Sequence, residues 1–175
     1  MNKVDMTHNN YNLEQLVEQL VIRLQDYIRA HQLQDPLMVG IHRSGVWLAQ
    51  VLHQRLGIRE ELGEINVSFY RDDFRRSGLP VQTQPTRLPL SLEDRHVLLI
   101  DDVIHSGRTV RAALNELFDY GRPASVTLAV LVARRQRELP IEPQVSVLQE
   151  EPGKEFNYQI SGPEPLEMTL VRKAG

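Results

Sequence analysis

Residues 97–109 read VLLIDDVIHSGRT: four aliphatic residues run straight into two adjacent carboxylates and then into a loop of small and polar residues. A continuous apolar run marks a strand buried on both faces, and the helical pattern that follows spans about Thr109 to Tyr120, with Gly121 as its stop. Ser106, Gly107 and Thr109 therefore stand where a strand turns into a helix. Free backbone amides, two hydroxyls and the positive end of the helix dipole converge there. An anion belongs at such a point, and phosphate offers these donors several acceptor oxygens. Asp101 and Asp102 lie just upstream and would repel it unless they meet hydroxyl donors or a metal. A ribose phosphate resolves the conflict: its 5′-phosphate takes the helix end, and its 2′- and 3′-hydroxyls donate to the carboxylates in charge-assisted bonds. The chain contains no Walker-type phosphate loop.

The same pattern extends outward in both directions. LMVGI at 37–41 is a short apolar strand followed at once by HRSG, after which Val46, Trp47, Val51 and Leu52 return to a helical period ending at Gly57. SVTLAVLV at 125–132 reads as another buried strand, and INVSFY at 65–70 as a β-branched and aromatic one. Strands alternating with helical segments predict a parallel α/β sheet with ligands at the carboxyl ends of its strands. Before them, Leu16, Val17, Leu20, Val21, Leu24 and Ile28 recur at helical spacing from Leu13. Asn12 and Gln15 form a capping box at the start of this helix, which covers a sheet face or a dimer seam. After Arg134 come the short pieces VSVL, FNYQI and MTLV, separated by Pro, Gly and Glu, which predict a small subdomain of short strands. The stretch from Arg71 to about Pro89 is charged and proline-containing without a clear period. So long a connection suits a functional loop such as an active-site lid.

Composition narrows the chemistry. At 175 residues and 41% hydrophobic content the chain fits one domain with a substantial core. The absence of cysteine excludes disulfide scaffolds, thiolate metal sites and a cysteine nucleophile. With no signal-peptide pattern and no apolar run near the roughly 20 residues that span a bilayer, a reducing, cytoplasmic setting is expected. A net charge of −3 provides no global field for nucleic acid, so RNA contact requires a local basic patch.

VLLIDDVIHSGRT resembles the phosphoribosyl-pyrophosphate (PRPP) signature of the type I phosphoribosyltransferases. Around it VGIHRSGVWLA, SFYRDDF, TVRAAL, GRPASVTLAVLV and RELPI resemble the PyrR family of pyrimidine-operon regulators and uracil phosphoribosyltransferases, over about residues 10–170. The resemblance implies a single phosphoribosyltransferase domain over 1–175. Its core would run from about 10 to 132, with the N-terminal helix packed on it, and a small hood of short strands would follow at about 133–175. It implies that Asp101 and Asp102 hold the ribose hydroxyls and, through water or ribose oxygens, Mg²⁺. It places the 5′-phosphate at Ser106, Gly107, Arg108 and Thr109, with His105 beside them among the substrate-binding residues. His42, Arg43, Ser44 and Gly45 become the pyrophosphate loop, with Ile41 before them among the substrate-binding residues, and Arg71, on the lid, reaches pyrophosphate. The implied reaction converts PRPP and uracil to UMP and pyrophosphate, in a dimer or larger homo-oligomer.

The resemblance also implies nucleotide-dependent regulation of pyrimidine genes. Its alternative form is an RNA-binding attenuator that senses UMP or UTP through a PRPP-type pocket, with weak or no transferase activity. Arg134, Arg135 and Arg137 would then contact leader RNA, although an arginine run is equally a solvated face. Where the family reads DRGHRELP, residues 133–140 read ARRQRELP. An acid, a glycine and a histidine give way to Ala133, Arg135 and Gln136, which predicts altered transferase efficiency. His105 stands where the family has tyrosine, and Asp72 and Asp73 read as solvated lid residues.

Overall fold

The apolar runs become strands because each is covered on both sides. The computed structural model describes residues 11–67, 85–89 and 91–173. Its order is α1 (Leu13–Ala30), β1 (Leu37–Ile41), α2 (Ser44–Leu56), β2 (Gly63–Ile65), β3 (His96–Ile104), α3 (Arg108–Tyr120), β4 (Ser125–Arg134), β5 (Val145–Glu150), β6 (Phe156–Ser161) and β7 (Glu167–Arg172). Strands β2-β1-β3-β4-β5 form one sheet whose pairs are all parallel, and β6-β7 form a separate antiparallel pair.

Side-chain alternation divides the core in two. Met38, Leu98, Ile100, Ala129 and Leu131 pack with Leu16, Leu20 and Leu24 of α1 and Leu48 and Leu52 of α2. Leu37, Val39, Val97, Leu99, Leu128 and Val130 pack with Val110, Ala113 and Leu117 of α3. The expected parallel α/β layering is therefore present, with α1 lying on a sheet face. Among the described residues no helix is long and apolar enough to cross a membrane.

Three boundaries differ from the sequence reading. The strand expected at 65–70 is Gly63–Ile65, and residues 68–70 lie outside the described part. Here Glu64 pairs with Gly40 on one side and bridges Arg87 on the other, so pairing rather than β-propensity sets the strand. The first acid of the signature, Asp101, and its neighbour Asp102 fall inside β3, not after it. Finally VSVL, expected in the C-terminal hood, is part of β5 and aligns with β4 from Ala129↔Val145 to Arg134↔Glu150 as the fifth strand of the main sheet. Only β6 and β7 stand apart. They are tied back by a shared carboxylate: the hydroxyls of Tyr11 and Tyr158 both donate to Glu150 Oε2, at 3.0 and 2.6 Å.

Candidate functional site

The carboxyl ends of β1 and β3 lie side by side, since these strands pair from Leu37↔Val97 to Gly40↔Ile100, and each feeds a helix. The three helices begin differently. At the start of α1, the Asn12 side chain accepts from Gln15 N. Neither α2, capped by Arg43, nor α3, capped by Gly107, has a side-chain hydrogen bond at its N-cap. The two helices that follow β1 and β3 thus begin without an N-cap side-chain bond, and the positive ends of their dipoles lie at the carboxyl ends of these strands.

At the α3 end, Gly107 has φ +92°, and an added Cβ would meet Leu139 Cβ at 3.4 Å. The Ser106 hydroxyl oxygen accepts from Arg108 N at 3.2 Å. The Ser106 carbonyl accepts from the amides of Glu138 and Leu139 at 3.0 and 3.1 Å. The segment around RELPI therefore braces the loop at Ser106 and Gly107. Arg108 turns its Nε to Glu138 at 2.6 Å, and Thr109 is half-buried in the first turn. His105 is exposed at the loop's tip. Desolvation, followed by the nearby Arg134 charge, holds its imidazole below the ordinary histidine range, so it offers an anion no full cation at neutral pH.

At the α2 end, Ile41 closes β1, His42 and Arg43 follow across a cis peptide, and Ser44 and Gly45 are already helical. Gly45 allows this turn to lie on β3, since a Cβ there would sit 2.8 Å from Ile100 O and 3.1 Å from Asp101 Oδ1. The two acids, on alternate faces of the strand, have different surroundings. Asp101 is 3% exposed and packed beneath Gly45, with its Oδ1 accepting from Asp102 N at 3.0 Å. Asp102 is half-buried. Its Oδ2 accepts from Ser44 Oγ at 2.8 Å and its Oδ1 from Val103 N at 2.8 Å. The Ser44–Asp102 bond joins the two ends of the cleft through a carboxylate already accepting from a hydroxyl, which is the bond a ribose hydroxyl would make.

Two of the three arginines of the cluster are bonded within the chain. Arg134 is 2% exposed: its guanidinium donates to the carbonyls of Phe156 at 3.0 Å and Gly153 at 2.9 Å and pairs with the Glu151 carboxylate. That hydrogen bond pulls the Glu151 carboxyl below its ordinary range. Arg137 donates to the carbonyls of Ile141 at 3.0 Å and His105 at 3.2 Å and to that of Arg134, and it pairs with Glu142 at 3.1 Å. Both are bonded to the chain's own carbonyls and carboxylates. Arg135 and Gln136 are exposed, and Ala133 is buried at the end of β4. Arg71, Asp72, Asp73 and most of the expected lid lie outside the described residues.

The sequence reading missed Glu64. Its Oε2 lies 2.9 Å from His42 Nε2 and its Oε1 2.9 Å from Arg87 Nη2, and no motif marks it. It missed the bracing amides of Glu138 and Leu139 as well.

Two helix starts beside a carboxylate pair at the carboxyl edge of a parallel sheet suit a phosphoribosyltransferase domain. The family model described as "Phosphoribosyl transferase domain" matches residues 3–167. Solved structures agree on the fold. A Trypanosoma cruzi hypoxanthine phosphoribosyltransferase superposes with TM-score 0.68 at 19% identity, over 98% of this chain and 95% of its own. A purine phosphoribosyltransferase from Pyrococcus horikoshii does so with TM-score 0.59 at 23% identity, over 78% and 83%. Sequence relatives are nearer. The chain is 47% identical to the bifunctional protein PyrR of Pseudomonas fluorescens over 91% of its length and 95% of the relative's, and 45% identical to that of Nitrosococcus oceani over 91% of each. The chain belongs to the PyrR family of phosphoribosyltransferases.

Proposed function

We propose that this protein transfers the phosphoribosyl group of PRPP to uracil, giving UMP and pyrophosphate, and couples nucleotide level to pyrimidine gene expression. The observation that carries the reading is the pair of uncapped helix ends joined across Asp102 and Ser44, within a chain similar to PyrR proteins over most of its length. The 5′-phosphate lies on the amides of Gly107 and Thr109 with the hydroxyls of Ser106 and Thr109, and Arg108 N is held by Ser106 Oγ beside it. The ribose hydroxyls donate to Asp102 and, from the sheet edge, to Asp101. Pyrophosphate meets Arg43 and the amides of Ser44 and Gly45.

With both ends held, C1′ is fixed for attack by uracil N1. The C1′–O bond to pyrophosphate breaks with its electron pair leaving on oxygen, the N1–C1′ bond forms, and the N1 proton passes to solvent. No covalent intermediate on the protein is needed, so the chain's contribution is orientation and charge stabilisation. Among the described residues no cluster of three or more His, Asp or Glu forms a metal cage. Two adjacent carboxylates beside two anion sites nonetheless fit Mg²⁺, which takes one or two carboxylates together with substrate oxygens and water. Asp101 and Asp102 would hold it through water or ribose oxygens, and the ion would supply neutralisation of the leaving pyrophosphate. Arg71 joins that end from the lid. We read the working form as a cytoplasmic homo-oligomer.

The second reading is a nucleotide-sensing attenuator that binds pyrimidine leader RNA and responds to UMP or UTP. The internal commitment of Arg134 and Arg137 favours the transferase over an RNA surface built from those arginines. The test is to incubate the purified protein with uracil, PRPP and Mg²⁺. UMP and pyrophosphate are expected in equal amounts, and a parent protein that leaves uracil unconsumed refutes the reading.

A further inference from the structure

Glu64 carries no role in the reaction as described, yet its carboxylate sits 16% exposed with both oxygens engaged. Oε2 is 2.9 Å from His42 Nε2, on a side chain 14% exposed, and Oε1 is 2.9 Å from Arg87 Nη2. The backbone fixes the carboxylate as firmly as its partners do. Glu64 pairs in register with Gly40 of β1, and its N–H and C=O exchange hydrogen bonds of 2.7 Å each with Arg87. His42 N–H, in turn, donates to Ile65 O at 2.8 Å. A ring directly preceding Arg43 and Ser44 is thereby held by its main chain and its side chain to the same two residues of β2.

A carboxylate so near a pyrophosphate site would weaken anion binding if it faced the site uncompensated. Arg87 neutralises it, and the imidazole occupies its other oxygen. A strand residue serving only to pair β2 with β1 would need no such carboxylate, because the ladder is made by the backbone. We propose that Glu64 is a positioning residue of the pyrophosphate loop: by holding His42 Nε2 it fixes residues 42–45 so that Arg43 and the α2 amides meet the leaving group. Arg87 supports it by fixing the other oxygen. The inference rests on the phosphoribosyl-transfer reading for the identity of the anion, but not for the identity of the base.

The test uses Glu64→Ala, Glu64→Gln, His42→Ala and the Glu64→Ala/His42→Ala double variant in the full chain. The readouts are calorimetric binding of inorganic pyrophosphate with Mg²⁺, the KM values for PRPP and uracil, kcat and Tm. Losing one charge-assisted hydrogen bond predicts roughly 3- to 10-fold weaker pyrophosphate binding and a matching rise in KM for PRPP in Glu64→Ala. The KM for uracil stays within about twofold, and glutamine, which retains one acceptor oxygen, restores part of the loss. The double variant is no worse than the weaker single one, because both remove the same contact. Should Glu64→Ala fail to fold, Arg87→Ala at an exposed position is expected to shift pyrophosphate affinity in the same direction. Pyrophosphate affinity within about twofold of the parent in folded Glu64→Ala or Arg87→Ala, or additive losses in the double variant, overturns the proposal. If the parent binds pyrophosphate in a Glu64-dependent way but makes no UMP, the uracil reading falls and the role of Glu64 stands. If UMP forms and pyrophosphate binding ignores Glu64, the reverse holds.

Discussion

Replacing Arg137 by glutamine separates an internal brace from a free cationic surface. The guanidinium is 10% exposed and donates to the carbonyls of Ile141 and His105 and to that of Arg134, beside its pair with the exposed Glu142. The Glu142 pair contributes at most about 1 kcal/mol, because that carboxylate is solvated. The carbonyl bonds contribute about 1 kcal/mol each, and more where the substitution leaves a buried acceptor unmet. Glutamine retains one such bond, so the loss comes to about 3 kcal/mol. At this chain length each kcal/mol lowers Tm by about 2–4 °C, which predicts a fall of roughly 6–12 °C. Because the His105 carbonyl belongs to the loop proposed to hold the 5′-phosphate, affinity for PRPP should also drop, by roughly 5- to 10-fold. Arg135→Gln, at an exposed neighbour, should stay within about 0.5 kcal/mol of the parent. Thermal unfolding and PRPP calorimetry on both variants provide the comparison. If Arg137→Gln and Arg135→Gln have the same Tm and PRPP affinity as the parent, the bracing role of Arg137 is wrong and the arginines are surface charges after all.

Asp102→Asn should keep the fold and lose roughly 10- to 150-fold in kcat/KM for PRPP, because an amide replaces a charge-assisted acceptor for ribose; an unchanged kcat/KM would remove Asp102 from the site. Gly107→Ala places a side chain at φ +92° and 3.4 Å from Leu139 Cβ, and should cost about 1–3 kcal/mol of stability together with 5′-phosphate affinity, read by urea unfolding and by binding of ribose 5-phosphate. Glu151 has a folded-state pKa below its ordinary value of 4.5, first because of the Arg134 hydrogen bond. Its stabilisation is therefore present above that value and lost as pH falls through the depressed one, so Tm between neutral pH and pH 3 should fall less steeply in Glu151→Gln than in the parent.

The signature stretch was legible because its meaning is local. Strand, acids, glycine and helix start follow one another in the chain, and β1 likewise occupies the residues read for it, 37–41. Asn12 announced the start of α1 for the same reason, its side chain bonding three residues ahead. What escaped depends on distant partners. An arginine that bonds carbonyls 19 and 22 residues away looks the same in sequence as one facing solvent, so the burial of Arg134 could not be read from its run. The strand β5 is short and polar at its outer end, and only its register with β4 places it in the main sheet. Glu64 takes its role from His42 and Arg87, 22 and 23 residues away on opposite sides, which no spacing rule connects.

The most direct measurement follows PRPP consumption by the purified protein with Mg²⁺ and either uracil or hypoxanthine at equal concentration. The fold alone is shared with hypoxanthine and purine transferases, so only the base separates the readings. PRPP should be converted with uracil to stoichiometric UMP and pyrophosphate while hypoxanthine leaves it intact. Consumption with hypoxanthine and none with uracil would contradict the account at its centre.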